Sequence, residues 1–435
     1  MAPSLSRRLN LLLRPGDDSH RLSRPSHSLR SLERSIDGLS PWYQVIVGFF
    51  VNFMTWGMPN AYGVFQLYYA QTTRWSSSQI SWVGSIQLFL AFIGGSVSGR
   101  LADAGYARHC IFLGSAFNIL GIMTASIASA YWQVILSLGV CVGLGGGMMA
   151  LPAAAAIGSR LRHRRALAMS LSGCGASIGA ISYAATVQYL IPVIGFPWAV
   201  RCCGLLSIIA SITANVLARP PLYIRKSGGL IDWSAFESGF FGMFCLGGFL
   251  VYFSLFAATI YPKINSFASN TLGFEASKSI QFLLISNAAS ILARPMSGMI
   301  ADHVFGEVNT WNLVCFLLSG MLFAWIGVRT QPAMYAYSVL MGFLNGAAQG
   351  IFPSAVNSLS IGTDKLGTRL GMVFGLCGVA SLAGPPTMGA IIDANKGQYL
   401  WAQVCGGTLM CVGCLTVGSA RLFFARTRLR DEIGL

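Results

Sequence analysis

Apolar runs of about twenty residues recur through most of this chain, and they constrain its fold more than any other feature. A helix needs about 20 apolar residues to cross the hydrocarbon core of a bilayer. Hydrophobic residues make up 54% of the chain and charged residues only 10%, with a mean hydropathy of +0.61, which excludes an ordinary soluble domain. The sequence therefore predicts an all-α polytopic membrane protein.

Pro, Gly and charged residues separate the apolar runs, and their positions predict twelve transmembrane helices. The predicted helices cover residues 42–69, 79–100, 109–130, 132–157, 166–190, 197–217, 238–260, 279–301, 310–329, 333–356, 368–391 and 399–421.

The basic residues fall mostly on one side of this predicted topology. Of the 29 Lys and Arg, 22 lie in the two tails and in alternate loops, six lie at the opposite helix ends, and Arg294 lies within a span. This excess predicts that both termini are cytoplasmic. The expected location is the plasma membrane. The net charge of +15 belongs to this pattern, so the predicted partners are the lipid bilayer and a small-molecule substrate, with no nucleic acid. The sequence leaves open whether an accessory protein takes part.

Features in the first part of the chain return in the same order about two hundred residues later. Three features recur: Ser98–Asp103 as Ser297–Asp302, a Gly-rich run ending at Pro152 as one ending at Pro353, and Arg165 with Cys174–Gly175 as Arg369 with Cys377–Gly378. Two parallel halves of six helices, with a substrate cavity between them at mid-membrane, resemble the architecture of the major facilitator superfamily.

The repeat and the charge pattern together predict five regions. The Arg- and Ser-rich composition of the first region is typical of a disordered cytoplasmic tail, with an organellar targeting peptide as the alternative. The regions are the tail 1–40, a six-helix half 41–218, a cytoplasmic linker 219–237, a second six-helix half 238–421, and a cytoplasmic tail 422–435.

Two Gly-x-x-x-Asp sequences mark the ends of the second and eighth predicted helices. Gly99 with Asp103, and Gly298 with Asp302, resemble the loop motif of the major facilitator superfamily. The glycine permits close helix contact, and the aspartate can pair with donors on a neighbouring helix and so latch one conformation. A simple helix stop is the alternative interpretation.

A basic cluster that includes Arg164 and Arg165, followed by the small-residue run 172–179, resembles the fifth-helix signature of the monocarboxylate porter family. Asp37 and Gly38, with Trp42, resemble the first-helix signature of that family, and 230–234 resembles its fungal branch. The resemblance covers the chain after residue 36 and implies a transporter in which these residues serve gating and topology.

The sequence departs from the acid carriers of that family at two positions. The resemblance implies a Lys in the first helix and an Asp one turn before the eighth-helix Arg, but Asn60 and Ser290 stand there. None of the 14 acidic residues, and no His, lies deep within a predicted span. A proton relay of carboxylates or imidazoles inside the membrane is therefore not expected.

Arg294 is the one full charge in a long apolar run, and such a residue usually faces a water-filled cavity or a partner. In the architecture that the sequence resembles, helices one, four, seven, eight and ten border the cavity. One cation among amides and aromatic rings suits a small organic anion or a polar aromatic metabolite. The predicted substrate-binding residues are Arg294, Asn287, Ser290, Asn52, Asn60, Tyr252, Asn345 and Gln349.

Other roles for these residues remain open. The amides can form interhelical hydrogen bonds, the aromatic residues can be core packing, and Arg294 can belong to a structural ion pair. The function predicted from the sequence is secondary-active transport of a monocarboxylate-like anion by alternating access, with no cofactor, no metal and no catalytic group. The alternatives are an exporter of a fungal secondary metabolite on the same fold and a non-transporting membrane sensor.

Overall fold

The computed structural model is helical almost throughout its described residues. Asp37 and Gly38, the rest of the predicted N-terminal tail, and much of the predicted linker lie outside them. The structure describes residues 41–161, 164–219, 229, 231–259, 276–359, 366–396 and 398–433.

The helices are numbered in chain order, with a 3₁₀ turn at Trp233–Ser238 before the seventh. Their bounds are α1 Tyr43–Thr72, α2 Ser77–Asp103, α3 Ala107–Ala125, α4 131–160, α5 165–194, α6 196–217, α7 Phe240–Thr259, α8 Ala276–Ile300, α9 Glu307–Ala324, α10 Gln331–Ser358, α11 Leu366–Ala394 and α12 Leu400–Ile433.

Gly195 separates α5 from α6. Its backbone has φ 76° and ψ 163°, a conformation that glycine adopts without a steric penalty. Pro192 and Pro197 flank it, and proline weakens the helical hydrogen-bond ladder on either side. The chain therefore turns here without a loop, close to the predicted boundary between 166–190 and 197–217.

Within the described residues, eight helical segments are long and apolar enough to cross a membrane, and the uninterrupted run Arg165–Leu217 counts as one of them. All eight overlap spans that hydropathy predicts. The predicted helix ends agree less well with the structure than the predicted spans do. For example, α12 continues to Ile433, beyond the predicted end at residue 421. Hydropathy locates the apolar part of a helix, whereas backbone hydrogen bonding can continue into a charged extension.

We call α1–α6 and α7–α12 the two helix groups, and two apolar clusters pack these helices together. One cluster lies mainly in α1–α6, with residues such as Phe65 and Tyr183. The other lies mainly in α7–α12, with residues such as Phe244 and Trp311, and also includes Phe92 of α2. Two helix pairs make the most extensive contacts between the groups: α2 packs against α11, and α5 packs against α8. A cavity lies between the groups, and both pairs border it.

Candidate functional site

The cavity, together with its opening to solvent, holds about 750 Å³ of space outside protein atoms and is lined by side chains from α1, α2, α4, α5, α7, α8, α10 and α11. On α1 it is lined by Gly48, Asn52 and Trp56, which lie in the first half of that helix. The cavity therefore lies toward the end of the bundle at which α1 begins and α2 ends. Both helix groups contribute to its wall.

Arg294 of α8 is the only charged residue in the described lining of this cavity. Its side chain is 4% exposed. Its Nε atom donates to the hydroxyls of Ser177 on α5 and Ser290 on α8, at 3.3 Å each. The two hydroxyl oxygens are 2.8 Å apart and hydrogen bonded to each other. This serine pair fixes one edge of the guanidinium.

Two glycines make room for the Arg294 side chain. A Cβ atom on Gly173 of α5 would lie 2.8 Å from Nη1, and one on Gly350 of α10 would lie 3.2 Å from Cγ. Among the described residues, the two Nη atoms have no hydrogen-bond acceptor and no carboxylate within ion-pair distance. The structural ion pair considered for Arg294 is therefore not formed with any described residue, and the Nη edge is available to a ligand.

Amide side chains lie on two other helices of the lining. Asn52 of α1 donates to the carbonyl oxygens of Gly48, at 2.8 Å, and Ser172, at 3.3 Å. Gln349 of α10 donates to Asn345 Oδ1 at 3.0 Å. Each amide is therefore held by a neighbour, and each gives the cavity a polar group of fixed position.

The aromatic cluster forms the apolar part of the lining. Ring centroids are 5.0 Å apart for Trp56 and Phe92 and 4.4 Å apart for Tyr252 and Phe352. Phe92 joins these two pairs, with its centroid 6.1 Å from that of Tyr252. These distances are typical of favourable aromatic contacts. The aromatic cluster comprises Trp56, Phe92, Tyr252, Phe256, Phe352 and Phe374.

The structure brings only part of the predicted binding set to the cavity. Ser290 and Asn345 lie behind the lining, where they hold Arg294 and Gln349. Asn287 donates to Leu283 O in its own helix at 2.9 Å, and neither it nor Asn60 lines the cavity. The predicted residues that line it are Arg294, Asn52, Tyr252 and Gln349.

Helix geometry explains why Asn60 is remote from the other polar residues. It follows Asn52 by eight residues, at the edge of the same polar stripe of α1, which corresponds to about 12 Å along the helix axis. Helical periodicity predicts a shared face but does not predict how far along that face a cavity extends. The same reasoning missed Gly173 and Ser177. A run of small residues indicates a close helix contact, but it does not indicate that the side chain of Arg294 lies in that contact.

Asp302 contacts the first turn of α5. Its carboxylate accepts hydrogen bonds from the backbone N–H groups of Ala166, at 3.1 Å, and Leu167, at 2.9 Å. A negative charge is favourable at a helix N-terminus, where these donors have no partner within the helix. A Cβ atom on Gly298 would lie 2.8 Å from Leu167 Cα, so the glycine allows α8 to approach α5 this closely.

Arg165 adds an ion pair at the same end of α5 and α8. Its Nε and Nη2 atoms donate to the two carboxylate oxygens of Glu307, at 2.9 and 2.7 Å. Ser354 of α10 donates to the same carboxylate at 2.7 Å. Sequence reasoning missed Glu307 because it lies outside both motifs, although its position directly before the ninth apolar run was visible. Arg164 is exposed.

Gly99 and Asp103 of α2 lie against the start of α11. A Cβ atom on Gly99 would lie 2.9 Å from Gly367 O, and Asp103 is buried beside the same glycine. Arg369, the sequence counterpart of Arg165, donates from Nε to Asp232 Oδ2 at 3.0 Å. The acidic partner of Arg369 therefore comes from the segment that precedes α7, whereas the partner of Arg165 is Glu307 at the start of α9.

Comparison with known proteins places these features in a family. Residues 45–385 match the model of the Major Facilitator Superfamily. An MFS-type transporter of Gibberella zeae is 33% identical over 387 residues, which cover 88% of this chain and 87% of the relative. The MFS-type transporter dbaD of Emericella nidulans is 33% identical over 378 residues, with 86% and 84% covered. The aspyridones efflux protein apdF of the same species is 29% identical over 390 residues, with 88% and 78% covered.

Solved structures show the same fold at low sequence identity. The human organic anion transporter MFSD10 has a TM-score of 0.68 at 15% identity and covers 86% of this chain and 98% of its own. FucP, in an outward conformation, has a TM-score of 0.65 at 14% identity, with 88% and 99% covered. The helical fold, the apolar segments and the family match agree: the chain is a multi-pass membrane transporter that belongs to the Major Facilitator Superfamily.

Proposed function

We propose that this protein is a secondary transporter that crosses the membrane twelve times and exports an organic anion by alternating access. The proposed units are two six-helix halves, 41–218 and 238–421, joined by a cytoplasmic linker. The helices α1–α12 and the internal sequence repeat support this arrangement. The excess of basic residues in the tails and alternate loops supports cytoplasmic termini, and the plasma membrane is the proposed location.

The free Nη edge of Arg294 is the observation that carries the anion assignment. A guanidinium in a low-dielectric interior is costly unless charge-assisted hydrogen bonds offset its desolvation. Within the described residues no carboxylate does so, and Arg294 lines the cavity. A carboxylate or similar anion can accept from both Nη atoms at once. Asn52 and Gln349 are positioned to orient it.

The names of the relatives support export of such an anion. One relative is an efflux protein, and one structural neighbour is an organic anion transporter. The resemblance to monocarboxylate porters supports the same charge class, with Asn60 and Ser290 in place of the Lys and Asp expected for proton-coupled uptake. Export is therefore the proposed direction, with uptake of a monocarboxylate as the alternative.

Reconstituted counterflow tests this function. The full-length protein is placed in proteoliposomes preloaded with lactate, benzoate or 2-naphthoate, and entry of the same radiolabelled anion is followed. We expect saturable flux of at least one anion, and a loss of about 100-fold for Arg294→Gln, the effect of removing roughly 3 kcal/mol of charge-assisted bonding.

Arg201→Gln is the matched control, because Arg201 stacks on Trp198 with its guanidinium 4.5 Å from the ring centroid and lies outside the cavity. Equal flux in the Arg294→Gln protein and wild type contradicts the anion site. Saturable binding without movement across the vesicle membrane contradicts transport.

A further inference from the structure

We propose that the transported ligand is a monoanion with a flat aromatic or conjugated ring system, which places its charge at Arg294 and its ring against the aromatic cluster. This proposal rests on the proposed transport of an organic anion and narrows its substrate class. It distinguishes a ring-bearing acid from a short aliphatic acid, which would engage the charged wall alone.

The charge balance of the lining favours a single negative charge. Arg294 is the only ionised side chain in the described lining, and its Nε edge is occupied by Ser177 and Ser290. The remaining Nη pair matches one carboxylate or one acidic enol. A second anionic group would be desolvated in this cavity without a cation to pair with it, which is unfavourable.

The aromatic cluster favours a flat ring body. Its members come from five helices, and each lies within 6.1 Å of at least one other, centroid to centroid. Trp56 is the least buried member, so its indole face is the most accessible to a ligand. Aromatic pairs contribute stabilisation beyond their buried area, and a saturated chain of equal size would lose that contribution.

Two helices carry a polar and an aromatic lining residue one turn apart. This spacing favours a ligand whose polar group lies next to its ring. On α1, Asn52 and Trp56 are four residues apart and share a face. On α10, Gln349 and Phe352 are three residues apart and share another. Each helix therefore presents an amide beside an aromatic ring. A ligand with a charged group attached directly to a ring fits this alternation, whereas a long flexible spacer does not.

Binding of a matched probe series to the full-length protein in lipid nanodiscs tests the proposal. The probes are 2-naphthoate, its ring-saturated analogue decahydro-2-naphthoate, the neutral 2-naphthamide, naphthalene-2,6-dicarboxylate and lactate. We expect 2-naphthoate to bind most tightly. Saturation of the ring weakens binding by about tenfold. Loss of the charge in the amide, or addition of a second charge in the dicarboxylate, weakens it by at least about tenfold.

One substitution separates the ring contact from the charge contact. We expect Trp56→Leu to lower the affinity for 2-naphthoate by roughly five- to tenfold. The affinity for decahydro-2-naphthoate should change by less than about twofold. Phe53→Leu is the control on the same helix, because its ring lies 5.1 Å from that of Tyr183 and outside the cavity. It should leave both affinities unchanged. Melting curves of both variants establish that they are folded.

The outcomes distinguish this proposal from the function on which it rests. If 2-naphthoate and decahydro-2-naphthoate bind equally well, and both require Arg294, the proposal of a flat ring system is wrong. The proposed transport of an organic anion is then unaffected. If naphthalene-2,6-dicarboxylate binds more tightly than 2-naphthoate, the proposal that the ligand carries a single negative charge is wrong. If no probe shows binding that depends on Arg294, both the ring class and the anion assignment fail. Selective loss of 2-naphthoate in Trp56→Leu supports the ring class.

Discussion

The two helix pairs that join the groups, α5 with α8 and α2 with α11, are alike at one end and different in the middle. At the shared end each pair has a glycine at the contact and an aspartate beside the first turn of the partner helix: Gly298 and Asp302 in one pair, Gly99 and Asp103 in the other. Eight residues before Asp302 stands Arg294, whereas Gly95 stands eight residues before Asp103.

The middle of the α2–α11 pair is a close backbone contact. Ser96 donates from Oγ to Gly371 O at 2.6 Å, and a Cβ atom on Gly371 would lie 3.0 Å from the Ser96 backbone oxygen. No long side chain fits between backbones at this distance. In α5–α8 the corresponding space holds the guanidinium of Arg294, with Ser177 and Gly173 shaped around it.

Under the proposed function, this difference means that only one of the two copies of a repeated scaffold carries ligand recognition. The end contacts are shared because both pairs need the same close approach and the same helix N-terminal partner. If Arg294 binds an anion as proposed, the middle differs because the ligand needs one cation, and a second would add a desolvation cost without a counter-charge. The next two predictions test whether the anion site depends on α5–α8 alone.

The largest effect is expected from filling the space beside Arg294. Gly173→Ala places a methyl group 2.8 Å from the present position of Nη1, so the guanidinium must move. We expect the affinity for 2-naphthoate to fall by about tenfold or more, because bidentate bonds depend steeply on geometry. Equilibrium binding in nanodiscs measures this change.

Gly95→Ala is the matched control in the other helix pair. Its Cβ atom would lie 3.5 Å from the Leu151 side chain, an ordinary contact, so affinity should stay within about twofold. An equal loss in both variants would show that the two pairs do not differ in function. Unchanged binding in Gly173→Ala would show that the position of the guanidinium does not set affinity.

A smaller effect is expected from weakening the ion pairs at the shared end. Glu307→Gln removes the charge that Arg165 contacts through two nitrogen atoms, and we expect the melting temperature in detergent to fall by about 5 °C. Because α5 and α8 also hold Arg294, the affinity for 2-naphthoate should fall by about threefold. Thermal melts and binding are measured on the same preparation.

Asp232→Asn is the corresponding change for Arg369 in the other pair. It should lower the melting temperature by a similar amount and leave the affinity for 2-naphthoate within about twofold, because the described part of α2 and α11 contributes no charged residue to the cavity lining. If Asp232→Asn lowers the affinity as much as Glu307→Gln does, the proposed anion site depends on both helix pairs and not on α5–α8 alone.

The sequence predicts much of this fold, because apolar length, turn residues and charge asymmetry are local signals. It also identifies Arg294, since a charge in an apolar run is visible without any partner. It does not identify Glu307 or Asp232 as partners of Arg165 and Arg369, because these pairs join segments distant in sequence. Of the aromatic cluster, the predicted binding set includes only Tyr252, since the members come from five helices and resemble core residues until those helices are packed.

Arg294→Lys tests the central claim most directly, because it keeps the charge and removes the planar pair of Nη donors. In proteoliposome counterflow of 2-naphthoate, with Arg294→Gln and Arg201→Gln as references, we expect the lysine variant to lose at least about tenfold of the wild-type flux. Flux equal to wild type in Arg294→Lys would contradict recognition of the anion by the guanidinium edge.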